Sequence, residues 1–414
     1  MRLKFRKGLD IAIPGAPRQE IGGAVTVNRV GIIGSDYGPA RFDILVSTGD
    51  TVGRGTPLLR DRARPGIVVT SPASGIIEDI AIGAKRRLST LVIAVEGEAA
   101  ISFDTAHART PENARELLLE TGLWTALQAR PFDRIPDPDT IPVALFVTAM
   151  DTRPHAVDAS VVIERSAEDF SLGVSLLATL APVPVYICYA GNVPASVATG
   201  QIRPVEVDGR HPAGLPGTHI HHIAPASRNG AVWHIHYQDV VAIGHLLRMG
   251  TLPATRIIAL SGSGVADPRL VEIPAGADLF ELARAGAVPG EKHVLSGSAL
   301  DGRESRFLSR YHWQATVLKT SKERATSNWL VAALRRAAAP APLIPTRALD
   351  LASGTRLPLV ALLRAISTAD TEGAEKLGVL ELAEDDLALA TYVTGGSTSF
   401  SALLRRTLDT LEAE

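Results

Sequence analysis

Four histidines stand at alternate positions in two short runs, His219 and His221, then His234 and His236, with Asn229-Gly230 between them. Side chains two residues apart share one face of a strand, and Asn-Gly is a strong hairpin signal. Paired runs would therefore gather four imidazoles on one sheet face. Such a cluster suits zinc, copper or nickel. No carboxylate or cysteine is fixed at ligand spacing beside them, which favours polar cross-strand or interface pairs over a metal site. Two glycine-bearing stretches invite a phosphate-cradle reading. Ser261-Gly262-Ser263-Gly264 follows a strand, but a proline-bearing loop and another strand come next, not the helix whose amino terminus would hold a pyrophosphate; a turn is expected. Gly31 to Gly38 continues into more strand. No G-x-S-x-G elbow is present, and no residue is assigned a catalytic role. Cys188 is the only cysteine, which excludes an internal disulfide framework and any cluster held by several cysteines of this chain.

One stretch, Gly122 to Asp151, offers a position for a ligand. Its first half is a helix start followed by an extended loop, since Pro131, Pro136 and Pro138 disfavour helix. Its second half, Val143 to Thr148, is a short apolar run of the kind buried in a parallel sheet, with Asp151 just past its carboxyl end. Ligands of open α/β sheets sit at that end of the strands.

The surrounding chain must position these residues. At 414 residues it is expected to form two to four domains. Hydrophobic residues at 46% and charged residues at 21% suit a soluble globular protein, and a net charge of −2 carries no footprint for nucleic acid. The most apolar window, Leu176 to Tyr189, is cut by Pro182 and Pro184, so no transmembrane helix is expected. The basic start lacks the apolar core of a secretory signal, and a cytoplasmic location is the expectation.

Val25 to Val95 alternates short strands with Gly-Asp turns in two echoing sets, and resembles the biotinyl/lipoyl-type barrel-sandwich hybrid fold. Its central tip, Asp61-Arg62-Ala63-Arg64-Pro65, has no lysine for cofactor attachment, so a structural role is preferred. Ala114 to Leu127 has helical spacing interrupted by Gly122. Ser166 to Leu180 reads as an amphipathic helix with Ser166 as N-cap and Asp169 in capping-box range. With strands at Val143 and Val183 to Cys188 this makes a βαβ unit and a Rossmann-like layer, continued by a loop and edge strand from Gly191 to Val207. A helix is expected from His245 to Gly250. Strands at Arg256–Leu260 and Arg269–Ile273, a helix at Leu279–Ala285 and a strand at His293–Ser296 outline a small β-grasp, SLBB-like domain. Thr326 to Ala341 reads as an exposed helix or linker, and Leu357 to Glu414 as a small helical bundle with Asp370 and Ser399 as caps. The resulting fold class is multidomain α/β. Its expected units are 1–105 for the N-terminal region with the barrel-sandwich lobe, 106–253 for the Rossmann-like α/β domain and 254–320 for the β-grasp domain. A linker at 321–356 and a C-terminal helical domain at 357–414 complete it.

Six ordered stretches carry a specific resemblance: Lys7-Gly8-Leu9-Asp10 with Pro14-Gly15-Ala16-Pro17, Gly122 to Leu127 with Arg130-Pro131-Phe132, Phe146 to Asp151, His211 to His219, Tyr237-Gln238-Asp239-Val240, and Arg310-Tyr311-His312. Together they resemble the A-subunit family of the sodium-translocating NADH:quinone oxidoreductase (Na+-NQR). The resemblance implies a peripheral subunit on the cytoplasmic side of the bacterial inner membrane, within a six-subunit complex that moves electrons from NADH to ubiquinone and exports sodium. It implies that FAD, FMN, riboflavin and iron–sulfur centres belong to partner subunits, including the membrane subunit, and that this chain binds no cofactor of its own. It is also similar in architecture to the flavin-binding subunit of respiratory complex I and to the iron–sulfur subunit of the Rnf complex. Their glycine-rich flavin loop is replaced here by Leu123-Trp124-Thr125-Ala126, with Trp124 expected to fill the phosphate position. For ubiquinone, the substrate of the complex, the candidate contacts are Tyr37 and Gly38 with Arg130 and Phe132, because an aromatic face suits a quinone ring and a guanidinium can bond its carbonyl oxygen. The bland alternative is core packing by Trp124 and Phe132. Two departures from the family stand out: a short, alanine-arginine-rich segment from Ser321 to Pro345, and Ala390 and Thr394 where members carry cysteines. The alternative functions are a non-catalytic scaffold of a different redox complex and an independent flavoenzyme.

Overall fold

The computed structural model describes residues 1–192, 200–286, 288–320, 343–396 and 398–414. The exposed helix or linker expected from Thr326 to Ala341 lies outside them, as do most of the short segment from Ser321 to Pro345 and part of the loop after Gly191.

Seven short strands between Arg29 and Val95 form two antiparallel sheets of four and three strands, taken together as the first sheet layer. The tip at Asp61 does not project freely. Arg64 pairs with Asp61 at 2.9 Å and donates to the Ile135 carbonyl at 2.7 Å, which docks the tip on the next domain.

The second sheet has the strand order Arg2–Lys4, Ile202–Asp208, Val185–Tyr189, Ala144–Ala149, Val232–His236, Gln128–Arg130; all neighbours are parallel except the last pair. Ala144–Ala149 is buried on both faces: Leu145 and Val147 join the main core, while Ala144 and Phe146 pack with Ile220 on the other side. Burial on both faces is why its sequence reads as an unbroken apolar run. Ile202–Asp208, expected at the edge, is instead covered by Arg2–Lys4. The expected 166–180 helix is present as Ala167–Leu180, and a further helix, Ala159–Arg165, precedes it. Ser166 stands between them at φ −124°, ψ 38° and caps nothing with its side chain, and Asp169 pairs with Arg248 at 2.7 Å. The helix expected from His245 begins at Tyr237 and runs to Met249.

The third sheet places Gln314–Lys319, for which the sequence pattern names no element, between Lys292–Ser296 and Arg256–Ser261; Arg18–Ala24 joins its far edge parallel to Arg269–Ile273. The helix Leu279–Gly286 follows the expected order. The first 24 residues thus stitch two sheets. Beyond Leu343, helices at Arg347–Leu351, Leu359–Ser367, Thr371–Lys376, Ala388–Val393 and Phe400–Ala413 enclose a separate cluster that includes Leu362, Leu363, Leu404 and Leu408. Asp370 and Ser399 cap their helices by accepting from Gly373 and Ala402 amides, as expected.

The helices Ala167–Leu180 and Tyr237–Met249 cross at two glycines. A Cβ on Gly244 would overlap the Asp169 carbonyl, and one on Gly173 would overlap that of Val240. Alanine improves intrinsic helix propensity by about 1 kcal/mol, but here it must push two backbones apart. Gly244→Ala should lower stability by about 2 kcal/mol or more in urea unfolding; an unchanged or higher midpoint would contradict this packing.

Candidate functional site

Two cavities are formed, one of them at the carboxyl ends of the parallel strands. The strand-end cavity, about 630 Å3, is lined by Thr148, Met150 and Asp151 after one strand and by His234 and His236 from its neighbour; residues of the third sheet and of the tail close it. The position predicted for a ligand from Asp151 is therefore a cavity wall. The seam cavity, about 510 Å3, lies between the barrel-sandwich lobe, the helix Tyr237–Met249 and the third sheet. Asp36, Asp239 and Trp313 line both.

The strand-end cavity is built around two cations, one buried and one half-buried. Arg130 is 1% exposed and donates from Nη1 to Asp386 at 2.5 Å and to the Glu381 carbonyl at 2.8 Å, with Asp385 3.6 Å from Nη2. Burial opposes its charge, but Asp386, Asp133 and Asp385 outweigh it and hold its pKa above the ordinary value. Arg153 bridges Asp151, Asp301 and Asp385. Burial and the adjacent Asp386 push the Asp385 carboxyl up. Asp133 goes the other way: although burial raises it, a hydrogen bond from His234 and the Arg130 charge hold it at about 2. Four polar atoms of the lining residues are buried without a hydrogen-bond partner: Arg130 Nε, Thr148 Oγ1, Asp385 Oδ1 and Arg405 Nη2.

The four histidines do not form a hairpin cluster. His219 and His221 lie on the helix Pro216–Ile223, where Pro216 occupies the first turn, and His234 and His236 lie on a parallel strand of the sheet. Asn229-Gly230 closes only a tight turn, with Ser227 bridging Gly230. Each ring has its own partner. His219 Nε2 donates to the Ala213 carbonyl at 2.8 Å. His221 accepts the Arg356 amide at Nε2, which leaves Nδ1 to donate to Glu381 at 2.7 Å. His234 meets Asp133, and His236 stacks on Trp313 with centroids 4.1 Å apart. Among the described residues no group of three or more His, Cys, Asp or Glu could hold a metal ion. Cys188 is fully buried, and burial pushes its thiol up.

The quinone candidates separate. Tyr37 faces the seam cavity and meets Phe42 edge-on at 5.6 Å, while Gly38 and Arg130 line the strand-end cavity. Phe132 lines neither and packs on the tail cluster. Trp124, expected to fill a phosphate position, also lines neither: it is fully buried, donates Nε1 to the Pro136 carbonyl at 2.9 Å and meets Trp233 edge-on. The Ser261–Gly264 stretch is a turn, with the Gly262 amide donating to the Gly15 carbonyl. Sequence reasoning missed Arg153, Asp301, Asp385, Asp386 and Arg405. The run Glu384-Asp385-Asp386 inside an apolar tail was the one available signal, and it names no partner. Asp239 and Arg310, from two of the resembling stretches, meet at 2.9 Å.

Three family models match the chain: the NqrA N-terminal barrel-sandwich hybrid domain over residues 3–96, the NqrA second alpha/beta domain over 109–252, and the NQRA C-terminal domain, of SLBB type, over 257–306. A relative from Pasteurella multocida (strain Pm70), named as the A-subunit of Na(+)-translocating NADH-quinone reductase, is 37% identical over 446 aligned residues that cover 100% of both chains. One of the same name from Tolumonas auensis (strain DSM 9187 / NBRC 110442 / TA 4) is 37% identical over 445, again covering 100% of both. Since 446 aligned positions exceed the 414 residues, about 30 positions of that relative have no counterpart here. Among solved structures, an NAD+-reducing NiFe-hydrogenase in the air-oxidized state aligns at 13% identity and a TM-score of 0.40 over 73% of this chain and 64% of that one, too distant to inform either fold or function.

His211 and His219 are nearly or fully buried, and burial lowers each to about 4, against about 6.5 in an unfolded chain. Between those values the unfolded chain binds more protons. Stability is therefore full above about pH 6.5 and falls as pH drops toward 4, by on the order of 3 kcal/mol per ring. Asp385, raised on folding, acts in the opposite sense. Urea midpoints measured between pH 7 and 5 should fall, and His219→Gln should flatten that slope; equal slopes would rule out His219 as a source. Asp386→Ala strips a buried cation of its nearest partner and should cost about 3–5 kcal/mol by the same assay.

Proposed function

The chain belongs to the A-subunit family of the Na(+)-translocating NADH-quinone reductase, and from that membership we propose that it is the peripheral, cytoplasmic-face subunit of a sodium-pumping NADH:ubiquinone oxidoreductase, acting only within the assembly. The observation that carries this reading is full-length correspondence: relatives bearing that name align with all of this chain and all of theirs. No helix among the described residues is long and apolar enough to cross a membrane. Attachment through the membrane subunit would then hold the chain at the bilayer. FAD, FMN, riboflavin and iron–sulfur centres are assigned to partner subunits; Cys188 is alone and has no access to a cluster.

The α/β domain is read as a Rossmann-like layer, on the strength of five parallel strands with helices packed against both faces. Residues 343–414 are read as a small helical domain around their own apolar cluster. A quinone ring is assigned to the strand-end cavity, which Gly38 and Arg130 both line. Arg130 Nε is buried there without a partner and can donate to a quinone carbonyl oxygen, and the Thr148 hydroxyl offers a second donor. Tyr37 and Phe132 act by packing, Phe132 against the tail cluster, while its carbonyl accepts from Arg405 at 2.7 Å.

Two measurements test the two levels separately. The tagged chain should co-purify with the membrane subunits of the complex, and their absence from the organism would sink the pump assignment. Titrating the full chain with a short-chain ubiquinone should quench tryptophan emission saturably, since Trp313 lines the cavity. Thr148→Val should weaken that binding several-fold while leaving stability unchanged or raised by about 1 kcal/mol, because the hydroxyl it removes is unpaired. Quenching that never saturates would remove the quinone from this cavity and leave the assignment to the pump intact.

A further inference from the structure

The seam cavity contains more positive charge than its walls neutralise. Arg256 lies over the Trp313 ring, 4.3 Å from its centroid, and donates from Nη1 to the Arg310 carbonyl at 2.9 Å. Among the described residues it has no carboxylate partner. Arg310 pairs with Asp239, which is 3% exposed, and its Nη1 is buried with no hydrogen-bond partner. Asp36, also in the wall, is already engaged by Arg303, by the Ser309 hydroxyl at 2.6 Å and by the Arg310 amide at 2.7 Å. The other two carboxylates of the wall, Asp169 and Glu272, are taken by Arg248 and Arg165, so the nearest negative charge left to Arg256 is Asp239, which Arg310 already holds. A third guanidinium, Arg54, faces the same cavity with only the Leu252 carbonyl bound to its Nε and no carboxylate partner among the described residues.

A cation withdrawn from water without a counterion is costly, and chains ordinarily supply one. At the half-buried Arg256 desolvation and the neighbouring Arg310 lower the guanidinium to about 10, whereas Arg310, beside Asp239, is held above its ordinary value. The remaining wall is largely apolar, with Ile33, Val69, Leu123, Val162, Leu252 and Leu308. We propose that the seam cavity binds an amphiphilic anion, a carboxylate or phosphate monoester on an apolar body, with its head against Arg256 and Arg310 and its body along the apolar wall. Guanidinium groups suit such heads because their donors match carboxylate and phosphate oxygens in pairs. This site is distinct from the one assigned to the neutral quinone ring, which lies across Asp36, Asp239 and Trp313, so neither assignment rests on the other.

The test uses the full chain and four probes in calorimetric titration: decanoate, decyl phosphate, inorganic phosphate and 1-decanol. Decanoate or decyl phosphate should bind at least about tenfold more tightly than either 1-decanol or inorganic phosphate. The preferred head identifies the source as a fatty acid or a phosphate ester. Added salt should weaken the anionic probes and leave decanol unchanged. Arg256→Gln should cost the anionic probes about tenfold or more; if that variant does not fold, Arg54→Gln and the salt dependence of the wild-type chain carry the test. Decanol binding as tightly as the anions, inorganic phosphate binding as tightly as decyl phosphate, or affinity insensitive to both salt and the arginine substitutions would each overturn the proposal.

Discussion

Two arginines at the carboxyl ends of the parallel strands, the buried Arg130 and the half-buried Arg153, set the terms for the rest of the molecule. Each is costly to withdraw from water without carboxylates, and the carboxylates come from separate parts of the chain. Asp133 and Asp151 are local, Asp301 belongs to the third sheet, and Asp385 and Asp386 belong to the tail. Neutralising the two cations therefore requires the α/β domain, the third sheet and the tail to meet at one place. The tail is held there by charge as well as by its apolar contacts with Leu9, Ile11, Phe132 and Leu300.

Around that junction the backbone is fixed by close packing. Gly173 and Gly244 let two helices touch without side chains between them, which brings Asp239, in the first turn of Tyr237–Met249, to Arg310 of the third sheet. The N-terminal strands work in the same direction. Arg2–Lys4 extends the parallel sheet and Arg18–Ala24 extends the third sheet, so one short segment ties both to each other. The two cavities are the spaces this arrangement leaves, separated by the shared wall of Asp36, Asp239 and Trp313.

The cavities differ in what they lack. In the strand-end cavity charges are matched several times over, and what is left unmet is a set of hydrogen-bonding atoms on Arg130, Thr148, Asp385 and Arg405. That environment suits a neutral polar group. In the seam cavity the unmet quantity is charge itself, beside an apolar wall.

Much of the architecture was legible in the chain. Buried strands such as Ala144–Ala149 show as apolar runs, turns show as Gly-Asp pairs, and the caps Asp370 and Ser399 show as short polar residues before apolar periodicity, because each is set by neighbours in sequence. Asp151 marked the strand end where a cavity lies for the same reason, and the ordered motifs marked the family. What failed were readings that needed a partner from elsewhere. The alternation His219-Ile220-His221 is as compatible with a helix opened by Pro216 as with a strand, and only the sheet order shows that the second run pairs with Ala144–Ala149. Ser166 and Asp169 have the spacing of a capping box, yet Arg248 from another helix takes the carboxylate. Arg130 was identified by type, but Asp386 lies 256 residues away, and no local pattern encodes a contact between two charges so distant along the chain. Local periodicity and turn chemistry thus determined the elements and the strand end where the cavity lies; which charges are matched there, and which are not, was decided only by tertiary packing, because neutralising a buried charge depends on proximity in space and not in sequence.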